Sequence, residues 1–174
     1  MQKLGAKRFT SFSDNVKSAR ESNLAYAIVR DSELAKREWT FSLARVQLAP
    51  DTATPAFDYS YQFTLPGDCL RPLKERDTVS WYVEGRKLLT NDGDTLNLRY
   101  IARVTDPNLF DPTFTEAMST RLALELCEAI TQSNTKKRML EDRYVNDIFE
   151  ARRANAFTKL ADNPPESSWI SGRR

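Results

Sequence analysis

Residues 112–132, PTFTEAMSTRLALELCEAITQ, predict a helix that is apolar around most of its circumference. Pro112 suits a first helical position and Asp111 the cap before it. Phe114, Ala117, Met118, Leu122, Ala123, Leu124, Leu126, Cys127, Ala129 and Ile130 leave only a narrow polar stripe through Arg121, Glu125 and Glu128. A helix with so little polar surface belongs inside a fold, so it is the expected central helix.

Its neighbours are legible on both sides. Asp14 can cap a helix starting near Asn15, and no Gly or Pro interrupts the chain through Arg30. Val16, Ala19, Leu24, Ala27 and Ile28 are the candidate inward positions, and Asp31 or Ser32 offers a second start, so the segment reads as two helices with a bend that end by Trp39. Downstream, Ser133 or Asn134 begins a helix running to about Thr158, with Leu140, Tyr144, Ile148 and Ala151 on one face and charge on the others.

Between these helices the period changes from that of a helix to that of a strand. FSLARVQLAP is apolar enough for a strand. In FDYSYQFTL, Phe57, Tyr59, Tyr61, Phe63 and Leu65 alternate with Asp58, Ser60, Gln62 and Thr64, the pattern of a strand with one buried face. Pro66 and Gly67 end it. Residues 78–104 then read as a meander with turns at Glu84-Gly85 and Asp92-Gly93, the last strand carrying Leu96, Leu98, Tyr100, Ala102 and Val104. These strands predict one antiparallel sheet covered on one face.

From Leu160 the chain loses its helical period: ADNPPESSWISGRR has two prolines, three serines and a glycine, and cannot form a core of its own. It nevertheless carries Trp169 and Ile170, which are costly to leave in water, so docking onto another surface is expected.

Composition narrows the chemistry. The 174 residues suffice for one domain with a sizeable core. No apolar run reaches the roughly 20 residues of a bilayer span, and the first residues lack a signal peptide's apolar region, so synthesis in the cytosol without secretion is expected. Cys69 and Cys127 are far apart and there is no histidine, which argues for two reduced, buried thiols and against a metal site, a disulfide framework or a Ser/Cys–His triad. Five glycines leave no room for a phosphate-cradling loop. Paired carboxylates at Asp92 and Asp94, or Asp106 and Asp111, could in principle serve glycoside hydrolysis, but Asp before Gly or Pro is turn and cap chemistry first. The aromatic strand could stack bases, yet Asp58 lies within it and no Lys or Arg is interleaved. Arg86 and Lys87 sit where a solvated hairpin tip is the default. Net charge is +2, with nine basic and five acidic residues in 1–45, eight and thirteen in 46–133, and nine and six in 134–174. That asymmetry is too mild for a clustered nucleic-acid binder and suits a subunit presenting different faces to different partners.

Taken in order, LGAKRFTSFSDNVKSA, VRDSELAKREWTFSLARVQLAP, FDYSYQFTLPGDCLR, YVEGRKLLTN, LRYIARVTDPNLFDPTF and the closing SWISGRR resemble the phage tail tubular protein A family, the head-to-tail adaptors of tailed bacteriophages. The resemblance runs from about Leu4 to Arg174. One departure is Glu38 before Trp39, where that family often has a His-Pro pair; it should alter the helix end without changing the fold. The resemblance implies an α+β protein: a bundle of three to four helices with an inserted antiparallel β lobe and an extended C-terminal tail. The parts would be 1–40 and 106–160 for the bundle, 41–105 for the β lobe and 161–174 for the tail. It implies a structural virion protein of the neck, assembled in the host cytoplasm, with no catalysis, no cofactor and no membrane. Copies would form a ring, of twelve, bound to the portal above and the tail nozzle below, with DNA passing through the lumen unread; whether tail fibres attach stays open. Portal contact would fall on Pro164, Pro165, Trp169, Ile170, Arg173 and Arg174. A lumen that lets DNA slip should be neutral or acidic, with Glu125 and Glu128 as candidates. A tail-associated carbohydrate hydrolase and a nucleic-acid-binding module are the rival readings.

Overall fold

The computed structural model describes residues 1–74, 80–93 and 95–159. In chain order these form α1 (Lys17–Ala35), β1 (Leu43–Leu48), β2 (Tyr61–Thr64), β3 (Cys69–Leu73), β4 (Tyr82–Glu84), β5 (Lys87–Thr90), β6 (Leu96–Ala102), α2 (Pro112–Thr131) and α3 (Asn134–Thr158), with short 3₁₀ turns at Gln2–Leu4, Thr40–Ser42 and Pro107–Leu109. The fold is α+β, a three-helix bundle with the strands inserted between its first and second helices.

α2 is the central helix, packed against both α1 and α3. Pro112 fills its first position and the Asp111 carboxylate accepts from the Thr113 amide at 2.8 Å. At its far end Gln132 turns left-handed (φ 50°), and Ser133 then caps α3 by accepting from the Lys136 amide at 3.3 Å. Phe114, Ala117 and Met118 on α2 join Val29, Leu34 and Trp39 from the first helical segment and Ile148 and Ala151 from α3 in one core. Trp39 and Phe114 meet edge to face at 4.8 Å. Each such aromatic removed from water contributes about 2–3 kcal/mol. A second helical cluster holds Leu4, Ala123, Leu126, Cys127 and Leu140. It pins the N-terminal turn, where Lys136 Nζ donates to the Leu4 carbonyl at 2.7 Å and Gly5 (φ 66°) turns the chain away.

The strands form two antiparallel three-stranded sheets, β1-β6-β3 and β2-β5-β4, rather than the single sheet expected. In the first, β1 pairs with β6 from Leu43↔Ile101 to Leu48↔Leu96, and β3 pairs with the other edge of β6 with a register irregularity between Cys69 and Arg71. One core lies between the sheets: Phe63, Leu65 and Leu88 from one side meet Leu96, Leu98 and Tyr100 from the other, with Cys69 and Trp81. Asp92 and Gly93 therefore lead from one sheet to the other and do not close a hairpin. The hairpin of β4 and β5 turns at Gly85-Arg86, one residue later than expected, because Glu84 pairs with Lys87 and the left-handed backbone (φ 58°) falls on Gly85.

Two further expectations fail for local reasons. The alternating run of 57–65 becomes a strand only from Tyr61, since Asp58 is left-handed (φ 67°) and the Asn91 side chain holds that turn, accepting from the Ser60 amide at 2.7 Å and donating to the Asp58 carbonyl at 3.1 Å. Phe63 and Leu65 enter the core, whereas Phe57 is exposed. α1 is one unbroken helix from Lys17, and Asp14 caps the turn behind it instead, its carboxylate accepting from the Thr10 and Ser11 amides at 2.8 and 3.2 Å.

Candidate interaction surface

α1 turns an unexpected face inward. Of the positions expected inside, Ala19 is buried, while Val16, Leu24, Ala27 and Ile28 are exposed. Inside instead are Ser22, Val29, Arg30, Glu33 and Leu34. The polar ones are buried because each finds a partner. The Ser22 hydroxyl donates to the Ser18 carbonyl at 2.7 Å. Arg30 Nε donates to Asp31 at 2.9 Å, and Arg103 Nε, just beyond β6, reaches the other oxygen of that carboxylate at 2.7 Å. Glu33 accepts from Lys36 Nζ at 2.5 Å and from the Tyr144 hydroxyl at 2.8 Å, with Arg121 Nε at 3.6 Å. A buried carboxylate is tolerable only with this many donors. Burial, and then the hydrogen bond to Glu33, push the Tyr144 phenol far above its ordinary pKa.

The consequence is an apolar pair on the outside: Leu24 is 70% exposed and Ile28 73%. α3 does the same on the face away from α2. Its buried positions follow the expected line of Leu140, Ile148 and Ala151, with Tyr144 half-buried, but Met139, Val145, Phe149 (61% exposed) and Phe157 (78%) stand outward. Val145, Phe149 and Phe157 lie at multiples of four residues, so they share one ridge with Arg153, whose guanidinium sits 5.9 Å from the Phe157 ring. That spacing was visible in the sequence beneath the surrounding charge. Both flanking helices thus have a core face and a second, outward face with apolar side chains in water.

A groove of about 640 Å³ lies on a different side, between the N-terminal segment, α1 and α2. Phe9, Phe12, Tyr26, Leu122 and Leu126 supply its apolar walls and Arg143 its rim. Phe9, Phe12 and Tyr26 touch in series at 5.8 and 5.5 Å. Beside it, Lys3 Nζ bonds to Thr120 Oγ1 and pairs with Glu116 at 2.8 Å, and Arg143 pairs with the same Glu116 oxygen at 2.8 Å. The hydrogen bond from Lys3 holds the Glu116 carboxyl below its ordinary pKa.

The carboxylates considered for hydrolysis do not converge. Asp111 caps α2, and Asp106 accepts from the Asn108 amide at 2.9 Å to start a 3₁₀ turn. Asp92 is exposed and Asp94 lies outside the described residues. Lys87 is bound to Asp51 and, at 2.7 Å, to Thr64, and Arg86 donates to the Cys69 carbonyl at 3.2 Å and to that of Pro66. Cys69 and Cys127 are both free and buried, and burial raises the Cys69 thiol pKa. Glu125 pairs with Arg121 at 2.8 Å and Glu128 with Lys137 at 3.7 Å, and both are exposed. Glu38 ties the helix end to the sheet and α3: its carboxylate meets Arg99 at 3.0 Å and Lys159 at 3.7 Å, and its carbonyl accepts from Asn155 at 3.0 Å. Pro164, Pro165, Trp169, Ile170, Arg173 and Arg174 lie outside the described residues. Among the described residues no group of three His, Cys, Asp or Glu side chains could hold a metal ion, and no helix is long and apolar enough to cross a membrane.

No protein-family model and no curated protein matches the chain.

Proposed function

We propose that this protein is a structural subunit, a head-to-tail adaptor that assembles as a ring between the portal and the tail nozzle of a tailed bacteriophage. The observation that carries the reading is the pair of outward apolar faces, Leu24 and Ile28 on α1 and Met139, Val145, Phe149 and Phe157 on α3. A ring subunit makes heterologous contacts on two flanks, using a different patch on each, and so needs apolar surface beyond its own core on both sides. The sequence resemblance to the phage tail tubular protein A family supplies the identity of the assembly. In this reading DNA passes through the lumen without being gripped, with the exposed Glu125 and Glu128 as candidate lining, and the segment after α3 reaches the portal through Trp169 and Ile170.

Among the described residues, the three apolar clusters are built from side chains no later than Ala151, and removal of residues 163–174 is expected to leave a folded subunit. That truncated protein should no longer co-sediment with portal rings. Undiminished co-sedimentation sinks the portal-docking role.

A further inference from the structure

We infer that in the free subunit the groove beside the N-terminal segment is the seat of the chain's own C-terminal segment, with Trp169 and Ile170 between Phe12, Tyr26 and Leu122. The groove offers aromatic and aliphatic walls open to water. Within residues 160–174, Trp169 and Ile170 are the large apolar pair.

Length permits the return in the same molecule. α3 ends at Thr158, and Arg143 on the groove rim lies 16 residues before Lys159, about 24 Å back along the helix at 1.5 Å per residue. The ten residues from Leu160 to Trp169 span up to about 33 Å when extended. That leaves roughly 9 Å to cross from α3 into the groove, close to one helix diameter.

The groove would then keep this tryptophan out of water until a partner claims it. No portal is involved, so the inference stands or falls separately from the adaptor reading.

The test uses the full chain. A fluorescein-labelled peptide of residues 160–174 is titrated against wild type and against the W169A/I170A double variant, both followed by anisotropy and checked by circular dichroism. A tethered segment competes at an effective concentration in the millimolar range, so the peptide should bind the double variant at least about tenfold more tightly than wild type. Phe12→Ser, a change at an exposed position, should remove that binding when added to the double variant. Absence of binding to the double variant, equal affinity for both proteins, or binding indifferent to Phe12→Ser overturns the proposal. So does light scattering that finds wild type dimeric and the double variant monomeric, because the groove would then be filled by a second copy.

Discussion

The phenol of Tyr144 on α3 donates a 2.8 Å hydrogen bond to the buried carboxylate of Glu33 on α1, joining the two helices that flank α2. The same carboxylate takes Lys36, just past the end of α1, at 2.5 Å and has Arg121 of α2 at 3.6 Å, so one side chain ties the end of α1 to both other helices. This arrangement orients α1: with Glu33 and Arg30 satisfied inside, Leu24 and Ile28 must face out.

Tyr144→Phe keeps the ring and removes only the hydroxyl, leaving the Glu33 carboxylate one donor short. We expect a loss of about 1–3 kcal/mol of unfolding free energy, read from urea titration. A loss below a few tenths would mean that Lys36 and Arg121 suffice alone.

On the proposed adaptor reading, the outward ridge of α3 separates folding from assembly. Phe149→Ser with Phe157→Ser should change stability by no more than about 0.5 kcal/mol, since neither ring is in a core. Sedimentation velocity should nevertheless show the pair of changes abolishing association with further copies. A variant that assembles like wild type would remove the ridge from the interface.

Glu116 sets part of the acid limb. Its carboxyl titrates below the ordinary value of 4.5, first because Lys3 bonds to its charged form. As pH falls, the unfolded chain takes up this proton before the folded one does. The stabilisation is therefore full above about pH 4.5 and is lost as pH drops toward and through the lower folded-state value. The difference in Tm between wild type and Glu116→Gln should accordingly be present at pH 7 and shrink progressively as pH falls below 4.5. A constant difference would place the effect outside charge pairing.

Asp111→Ala removes the cap of the central helix, where the carboxylate accepts from the Thr113 amide. The expected cost is about 1 kcal/mol, measured as a fall in the urea midpoint with an unchanged slope.

The limits of α2 and α3 and the inner face of α3 were readable because they rest on groups within a few residues of one another: Asp111 before Pro112, Ser133 before Asn134, and an apolar residue every three to four positions from Leu140 to Ala151. The α+β class followed from the change of period between the helices. The orientation of α1 was not readable, because Leu24 and Ile28 lose the interior to Arg30 and Glu33, and the Glu33 partners Arg121 and Tyr144 lie roughly 90 to 110 residues away. Division of the strands into two sheets has the same origin: the alternation along each strand fixes which side chains share a face, but pairing Leu43 with Ile101 and Phe63 with Leu88 is settled by how the two inner faces fill one core. Local chemistry thus chose the elements, and burial shared between distant parts of the chain chose which apolar side chains were left outside.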